Sequence, residues 1–509
     1  MNQSNKLGTI KTFLFLGASL VLGICSAQIN FTQSQLDLNG QGNLTGITSL
    51  MYGPDGRLYV AEYPSGNIKV LTILRNEVDD YAVAGMEVLT GVSDIINHDD
   101  DGNPCSSTSS NCTQREVTGL TVAGTSTNPI IYVTSSDVRI GAGNDGGNGD
   151  VDLDTNSGII TRFTWTGSQW EIVDLIRGLS RSEENHGPNG LERVTINGAE
   201  YLIIAAGGNT NSGAPSTNFV YTCEYALSGA ILAVNLDMLN GMPVLQDSNG
   251  RNYIYDLPTL DDPTRANANG LTDPDDPSYN GVDINDPWGG NDGLNQAILE
   301  DSGPVQMFAP GFRNPYDLVI TTDGMIYVTD NGANQGWGGI PDNEGGGSAT
   351  NNYDPLEPGS NSSASDGEFI NNKDHLELIT SNIQTYIFGS FYGGHPNPTR
   401  ANPSGAGLYT APDPVNTNNA VFRTQVYDPD ASIPGSTSNP AIAIPANWAS
   451  VVPNANPVEG DYRAPGLPNP EGPADNPLLI WDTNTNGIDE YTASNFGGDM
   501  QGDLIAGVN

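Results

Sequence analysis

The chain has 509 residues, of which 60 are Asp or Glu and 18 are Lys or Arg, so its formal net charge is −42. Such a charge excludes nucleic acid and anionic membrane surfaces as natural partners. The length is compatible with one large β fold and does not by itself require a second domain.

Residues 1–27 are predicted to be a secretory signal peptide that is cleaved before Gln28. Two lysines precede an apolar run over residues 13–24, and small residues follow before the cleavage point. Lipidation at Cys25 is the alternative, which the bulky Ile24 disfavours. The run is short for a bilayer span, so we expect a periplasmic or extracellular protein with no membrane insertion after cleavage.

Three cysteines follow the predicted signal. Cys105 and Cys112 flank a short polar loop and are predicted to form a disulfide in an oxidising exterior. Cys223 is predicted to be a buried thiol. The spacing of the three cysteines matches no zinc-binding pattern.

Strand signals dominate residues 28–509, which we predict to be one all-β domain. A unit recurs in which a turn precedes several β-forming residues and then small or acidic ones, beginning at Gly53, Asn128, Asn197, Thr322 and Met500. Its Asp-Gly and Asn-Gly steps favour tight hairpins. Irregular repeats of short β units predict a β-propeller, because a single blade cannot bury both of its faces.

Helix-period patterns are rare, and the best candidate is a short one at residues 375–383. Long loops at 261–294 and 336–365 are rich in Asp, Asn, Gly and Pro, and we expect them to be functional or stiffened by metal rather than to be linkers. The chain ends at Asn509 inside a strand-like unit. We therefore expect the sequence to be a fragment of a longer protein, truncated at its C-terminal end.

Six segments, taken in order, resemble the soluble quinoprotein glucose/sorbosone dehydrogenase family. They are residues 46–71, 115–122, 154–163, 184–194, 311–318 and 391–398. The resemblance implies a six-bladed β-propeller that binds pyrroloquinoline quinone (PQQ) at one axial end, together with calcium. It also implies a hydride transfer from a sugar or alcohol carbon to the quinone, with a soluble or protein electron acceptor.

Two segments contribute the expected catalytic residues. His186, in the segment ENHGPNG, matches the family's histidine segment and is expected to be the general base, since a neutral imidazole titrates near the working pH. Arg313, in GFRNPYDL, is expected to stabilise negative charge on a quinone oxygen, and Asn314 to hydrogen-bond the cofactor. The alternatives are a hydrogen-bonded turn histidine and an arginine paired with one of the many acids.

The calcium prediction is placed on Gly207, Gly208 and Asn209, which resemble a segment near the family's calcium site. These residues offer carbonyl and amide oxygens, which calcium accepts as ligands. Residues 482–487 match the first half of a calcium loop, but Ala493 stands where an acidic ligand belongs, so we interpret them as a turn.

Two further histidines lie near loops. His395 is interpreted as a structural turn residue, the alternative being that it lines the axial mouth beside Tyr392. His98 precedes a run of three aspartates and is expected in a solvated or calcium-stiffened loop.

The cation supply departs from the family's pattern. PQQ carries three carboxylates, yet the only later basic residues are Lys373, Arg400, Arg423 and Arg463, and none matches a family position. The alternative function is therefore a non-catalytic propeller that binds carbohydrate or protein as a module of a larger secreted protein. A third hypothesis, a calcium-dependent propeller hydrolase, needs an axial carboxylate cage that no spacing establishes.

Overall fold

A computed structural model of the protein describes residues 33–99, 102–105, 114–140, 153–211, 217–219, 224, 227–259, 287–289, 297, 299–300, 302–334, 337, 373–391, 393, 395, 425–427, 440–443, 477–482 and 484–508. Within these residues, helix is limited to α1 (Leu236–Asn240) and to 3₁₀ turns at Thr217–Phe219, Ile383–Thr385 and Asn495–Gly498. No helix in this part of the chain is long and apolar enough to cross a bilayer.

The strands form four sheets of four or more strands. The first sheet is β1 (Ile47–Tyr52), β2 (Leu58–Glu62), β3 (Asn67–Arg75) and β4 (Tyr81–Leu89). The second begins with β5 (Arg115–Gly124), β6 (Pro129–Asp137), β7 (Gly158–Trp165) and β8 (Trp170–Leu179). In both sheets, strands that follow one another in sequence pair antiparallel, as the Asp-Gly turn at residues 55–56 between β1 and β2 predicts.

The third sheet contains β9 (Pro188–Ile196), β10 (Ala199–Ala206) and β11 (Ala230–Asn235), and it is completed by β14 (Val305–Pro310). Between β11 and β14 the chain makes β12 (Leu245–Gln246) and β13 (Asn252–Asp256). These two strands join the second sheet, where β13 lies parallel to β8. The second sheet therefore has six strands, and this segment does not form a blade of its own.

The fourth sheet contains β15 (Pro315–Ile320), β16 (Ile326–Asp330), β17 (Asp374–Thr380) and β20 (Leu479–Trp481). Two further pairs are β18 (Gln425–Tyr427) with β19 (Pro440–Ala443), and β21 (Thr485–Glu490) with β22 (Leu504–Val508). The segment at 375–383, predicted as a short helix, is instead a strand followed by a 3₁₀ turn.

The first strands of successive sheets pack side by side, in the order β1, β5, β9 and β15, and β21 packs next to β15. This succession is the arrangement of a β-propeller, in which each sheet is a blade and its first strand lies nearest the axis. The predicted all-β propeller is confirmed, with four blades rather than six in the described part of the chain. One reason for the difference is that β12 and β13 extend the second blade.

The hydrophobic core lies between neighbouring blades. Alternate residues of β10 point to opposite faces: Leu202 and Ile204 pack towards the second blade, and Ile203 and Ala205 towards the fourth. A third cluster, which includes Tyr59 and Phe163, fills the space between the first and second blades. Each blade thus covers the faces of its neighbours, which fixes the loops at the blade ends.

Several predictions fall wholly or partly outside the described residues: the signal at 1–27, most of the loops 261–294 and 336–365, and Cys112, Cys223, Tyr392, Arg400, Arg423 and Arg463. Cys105 is disulfide-bonded, and its predicted pairing with Cys112 stays a prediction. The domain boundary at residue 28 stays a prediction.

Candidate functional site

The predicted site residues lie at one end of the propeller because of the antiparallel order of the strands. The start of a first strand and the end of a second strand meet at the same edge of a blade. His186 precedes β9, Gly207 follows β10, and Arg313 precedes β15. The third and fourth blades are neighbours, so these three loops converge.

His186 is buried, with 2% of its surface exposed, and its ring orientation is fixed. Its Nδ1 lies 2.8 Å from the carbonyl oxygen of Gly208, and its ring is tilted against Phe219 at a centroid distance of 5.3 Å. Since a carbonyl only accepts, Nδ1–H is the donor and Nε2 carries the lone pair. Burial, reinforced by the charge of Arg313, lowers the pKa of His186 well below its usual value.

Gly208 connects the two predicted catalytic residues. Its carbonyl accepts from His186, and its N–H donates to the carbonyl oxygen of Arg313 at 2.7 Å. A Cβ at this position would lie 2.5 Å from Oε1 of Glu224 and 2.8 Å from the Arg313 oxygen. Only glycine permits so close an approach, so the Gly-Gly step after β10 serves to bring the two loops together.

Arg313 exposes 5% of its surface, and the hydrogen bonds of its guanidinium go to a neutral partner. Nη2 donates to Oδ1 of Asn211 at 2.9 Å, and Nε donates to the Asn211 carbonyl at 3.1 Å. Burial lowers the pKa of Arg313, opposed by the charges of Glu184, Asp330 and nearby acids. The predicted alternative, a direct arginine–carboxylate ion pair, is not formed among the described residues.

The backbone around Arg313 is held by Asp330, at the end of β16. Its two carboxylate oxygens accept the N–H of Arg313 at 3.1 Å and the N–H of Asn314 at 2.8 Å. Burial raises the pKa of Asp330 to about 7 despite these bonds. The turn that presents the guanidinium is therefore clamped at two successive residues.

The Asn314 side chain bonds within the protein. Its Oδ1 accepts from Nδ2 of Asn189 at 3.0 Å, and its Nδ2 donates to Oδ1 of Asn331 at 3.3 Å. Asn314 thus ties β9 to the segment after β16. The predicted bond from Asn314 to a cofactor remains a prediction.

Glu224, which the sequence did not single out, lies buried beneath the Gly-rich loop. Its carboxylate accepts from the backbone N–H of Asn209 at 3.0 Å and of Thr210 at 3.1 Å, and from the hydroxyl of Ser228 at 2.5 Å. His395 Nε2 lies 3.2 Å from the same carboxylate. Glu224 thereby fixes the loop whose carbonyl orients His186.

His395 belongs to this clamp. Its ring nitrogen is also 3.0 Å from the hydroxyl of Thr210, and its backbone N–H donates to the Gly311 carbonyl at 2.8 Å. It brings this part of the chain, of which Phe391, Gly393 and His395 are described, against the loops of the third and fourth blades. These contacts agree with the structural role that the sequence predicted for His395. The sequence did not predict that His395 also contacts the buried carboxylate of Glu224.

The predicted metal residues Gly207, Gly208 and Asn209 lie beside His186. The Gly208 carbonyl is already a hydrogen-bond acceptor, and the Asn209 backbone is held by Glu224. No cluster of three His, Cys, Asp or Glu side chains suited to a metal occurs among the described residues. Calcium binding at these residues therefore stays a prediction.

No protein-family model and no curated protein matches the chain. Among the solved structures, the chain is similar to the following three. One is a calcium structure of a Trichoderma reesei carbohydrate-active enzyme of family AA12, with 11% identity and a TM-score of 0.35 over 88% of this chain and 71% of that one. Another is the holo form of a pyranose dehydrogenase PQQ domain from Coprinopsis cinerea, with 12% identity and a TM-score of 0.31 over 70% of this chain and 55% of that one. The third is PQQ-bound aldose sugar dehydrogenase from Streptomyces coelicolor, with 12% identity and a TM-score of 0.28 over 69% of this chain and 63% of that one. This chain thus spans less than two thirds of the last two. These identities and TM-scores are too low to assign an activity.

Proposed function

We propose that this protein is a secreted, PQQ-dependent oxidoreductase that takes a hydride from a sugar or alcohol carbon, with His186 as general base. The observation that carries the proposal is the convergence of His186 and Arg313 on Gly208. A buried neutral base and a buried cation next to each other form a pair suited to separating a proton from a hydride.

His186 removes the hydroxyl proton in this proposal. The Gly208 carbonyl holds Nδ1–H, so the lone pair of Nε2 is the group that accepts a proton. Because its pKa is lowered, the imidazole is neutral from pH 6.5 upwards, so its Nε2 lone pair is unprotonated in that range. Loss of the hydroxyl proton makes departure of the hydride from the same carbon easier.

Arg313 supplies positive charge to the opposite side of the reaction. Among the described residues its guanidinium bonds Asn211 rather than a carboxylate, so no direct anionic partner there cancels its charge. A fixed cation stabilises an oxygen on which negative charge develops, and burial strengthens the effect. In this proposal Asn314 keeps the Arg313 loop against β9.

PQQ, when bound, supplies a quinone that accepts the hydride. The donor set suits the reacting end of such a group, since it offers one cation, amide groups and a neutral base. The carboxylates of Glu184, Asp330, Asp374 and Glu224 also act on Arg313. Three more carboxylates on the cofactor would add to this negative charge, so we propose that calcium binds with PQQ near Gly207, Gly208 and Asn209.

The proposal includes a soluble or protein electron acceptor and a periplasmic or extracellular location. The disulfide bond at Cys105 supports a location in an oxidising compartment outside the cytoplasm.

A test adds PQQ and calcium to the purified full chain, removes unbound cofactor by gel filtration, and then supplies aldoses with a dye acceptor. Quinone absorbance is expected to elute with the protein. His186→Ala is expected to retain the absorbance and to lose turnover by about 10²–10⁴-fold. The matched control is His375→Gln on β17, which is expected to keep both. Absorbance that is not retained, or unchanged turnover in His186→Ala, would overturn the proposal.

The second candidate function is a non-catalytic propeller module that binds carbohydrate or protein. The observation that favours it is that the side chains of Asn314 and Arg313 already bond to Asn189, Asn331 and Asn211 within the protein. Saccharide binding without quinone retention would favour this candidate.

A further inference from the structure

A cavity of about 620 Å³ lies beside the first and second blades, away from the candidate site, and we propose that it binds a neutral saccharide. None of the candidate-site residues lines it. One wall comes from the segment after β4, including Ile95 and Ile96, and the other from β8 and from the turn between β12 and β13. Its volume falls in the range of small-molecule sites.

Two arginines line the cavity, and each forms a bidentate ion pair with an aspartate. Arg177 donates to Asp256 at 2.6 and 2.8 Å, and Arg251 donates to Asp174 at 2.5 and 2.6 Å. Such pairs fix the orientation of both groups, so a ligand would not have to order them. Preorganised polar groups of this kind suit recognition more than nonspecific attraction.

The charge of the lining excludes anions. Four aspartates (Asp94, Asp174, Asp247 and Asp256) line the cavity against the two arginines. Burial lowers the pKa of His98, which also lines the cavity, to about 3, so this histidine adds no positive charge. The net charge is therefore negative, which disfavours phosphates, nucleotides and uronic acids.

The polar lining also disfavours a simple cation and matches hydroxyl groups. A guanidinium has five N–H groups. Arg177 donates three of its N–H groups to Asp256 and Asp247. Arg251 donates three of its N–H groups to Asp174 and to the Gly91 carbonyl. Each guanidinium therefore keeps two N–H groups that have no partner among the described residues. The lining thus contains both N–H donors and carboxylate oxygens. A hydroxyl both donates and accepts, so a polyhydroxylated neutral molecule can use both kinds of group.

Flat side chains supply the apolar part of the lining. His98 stacks on Trp288 with ring centroids 4.2 Å apart and planes at 10°, and the guanidinium of Arg177 lies 3.7 Å from the ring centroid of Tyr253. Together with Ile95 and neighbouring aliphatic side chains, they form a rigid amphipathic surface. A sugar ring has the same division, with C–H groups on its faces and hydroxyls around its edge, which makes it the best match.

The test is isothermal titration calorimetry of the full chain with cellohexaose, maltohexaose, xylohexaose and mannohexaose, and with hexagalacturonate as the anionic comparison. At least one neutral hexasaccharide is expected to bind with a Kd of about 1 mM or tighter. Ser248→Trp, on the exposed β12–β13 turn that lines the cavity, is expected to weaken that binding about tenfold or more. Ile96→Glu tests the opposite wall in the same way.

Ser168→Trp is the matched control, because Ser168 is exposed on the β7–β8 turn and does not line the cavity. It is expected to bind as the unmodified protein does. The proposal is overturned if no neutral hexasaccharide binds, if hexagalacturonate binds more tightly, or if neither Ser248→Trp nor Ile96→Glu changes the affinity. Calorimetry needs no redox turnover, and His186→Ala is expected to bind the saccharide normally, so this result is independent of the proposed dehydrogenase.

Discussion

Arginines are held in two different ways in the side cavity, where Arg177 is buried and Arg251 is partly buried, and in the candidate site, where Arg313 is buried. In the side cavity, Arg177 and Arg251 are each paired with a carboxylate, so their charges are cancelled by direct contact. In the candidate site, Arg313 bonds the neutral side chain of Asn211. The ion pairs of the side cavity fix the orientation of the two arginines. The positive charge of Arg313 instead acts on its neighbours and contributes to the lowered pKa of His186.

Buried carboxylates show the same contrast. Asp174 in the side cavity is paired with Arg251, whereas Glu224 in the candidate site is surrounded by backbone N–H groups and hydroxyls. Neutral donors stabilise a charged group without cancelling its field. A region that brings a buried guanidinium, a neutral imidazole and a buried carboxylate together is suited to binding and moving charge, which is why we place the chemistry there.

The largest effect is expected from breaking a direct pair. Asp174→Asn leaves the guanidinium of Arg251 without its anionic partner, so we expect the free energy of unfolding to fall by about 3 kcal/mol. Urea denaturation measures the change. Asp323→Asn, at an exposed position in the β15–β16 turn, is the control and should stay within about 0.5 kcal/mol of the parent. A loss below about 1 kcal/mol for Asp174→Asn would show that the pair is not structural.

Glu224→Gln should have the next largest effect. Glutamine keeps the shape, but its NH₂ group faces donors that it cannot accept from, so we expect a loss of about 2 kcal/mol. The Gly-rich loop would shift, and His186 with it, so turnover should also fall. Unfolding and steady-state kinetics measure the two effects, with exposed Glu171→Gln as the control. Unchanged stability would contradict the clamp that we describe for Glu224.

A third case is the carboxylate of Glu192, which lies near two other carboxylates. Burial, and then the charges of Asp317 and Asp489, raise the pKa of Glu192 on β9 to about 8. A raised pKa in the folded state contributes stability that is complete below the unfolded pKa and is lost as pH rises through about 8. Glu192→Gln cannot ionise, so we expect it to be more stable than the parent at pH 9, by about 1–2 kcal/mol.

Denaturation at pH 5 and pH 9 measures this difference, which should nearly vanish at pH 5, where Glu192 keeps its proton. The control is Glu77→Gln, in the exposed β3–β4 turn, which should show no pH-dependent difference. Equal stability of the parent and Glu192→Gln at pH 9 would mean that the carboxylate is well solvated.

The sequence predicted those parts of the fold that local chemistry determines. Asp-Gly and Asn-Gly turns before β-formers located hairpins such as Gly53 to Glu62 and Asn197 to Ala206 correctly. The prediction of a helix at 375–383 was wrong, because Leu376 and Leu378 also fit a period of two, and the pairing of Leu378 with Tyr327 makes the segment a strand. The six-stranded second blade could not be predicted, since the pairing of β13 with β8 joins distant segments.

In the candidate site, the sequence singled out His186 and Arg313 from segments that resemble one family's site, and in the structure both residues hydrogen-bond to Gly208. It did not predict Glu224 or Asn211. Glu224 is one of many acids in a chain with 60 of them, and no spacing distinguishes it. Its role depends on loops that meet only after the third and fourth blades pack together. A buried carboxylate near a Gly-rich loop is recognised by its donors, which only coordinates reveal.

The smallest expected effect tests most directly whether the charge of Arg313 acts at a distance. A nearby cation disfavours the imidazolium, so removing it in Arg313→Gln should raise the pKa of His186 towards 6.5, by less than about one unit, because burial, the larger cause, remains. An NMR titration of the His186 ring protons measures the pKa without requiring turnover. Arg75→Gln, at an exposed position on β3, is the control and should leave this pKa unchanged. A pKa of His186 that does not move in Arg313→Gln would mean that the guanidinium is screened, and it would then be no better suited to stabilising an oxyanion than the paired arginines of the side cavity.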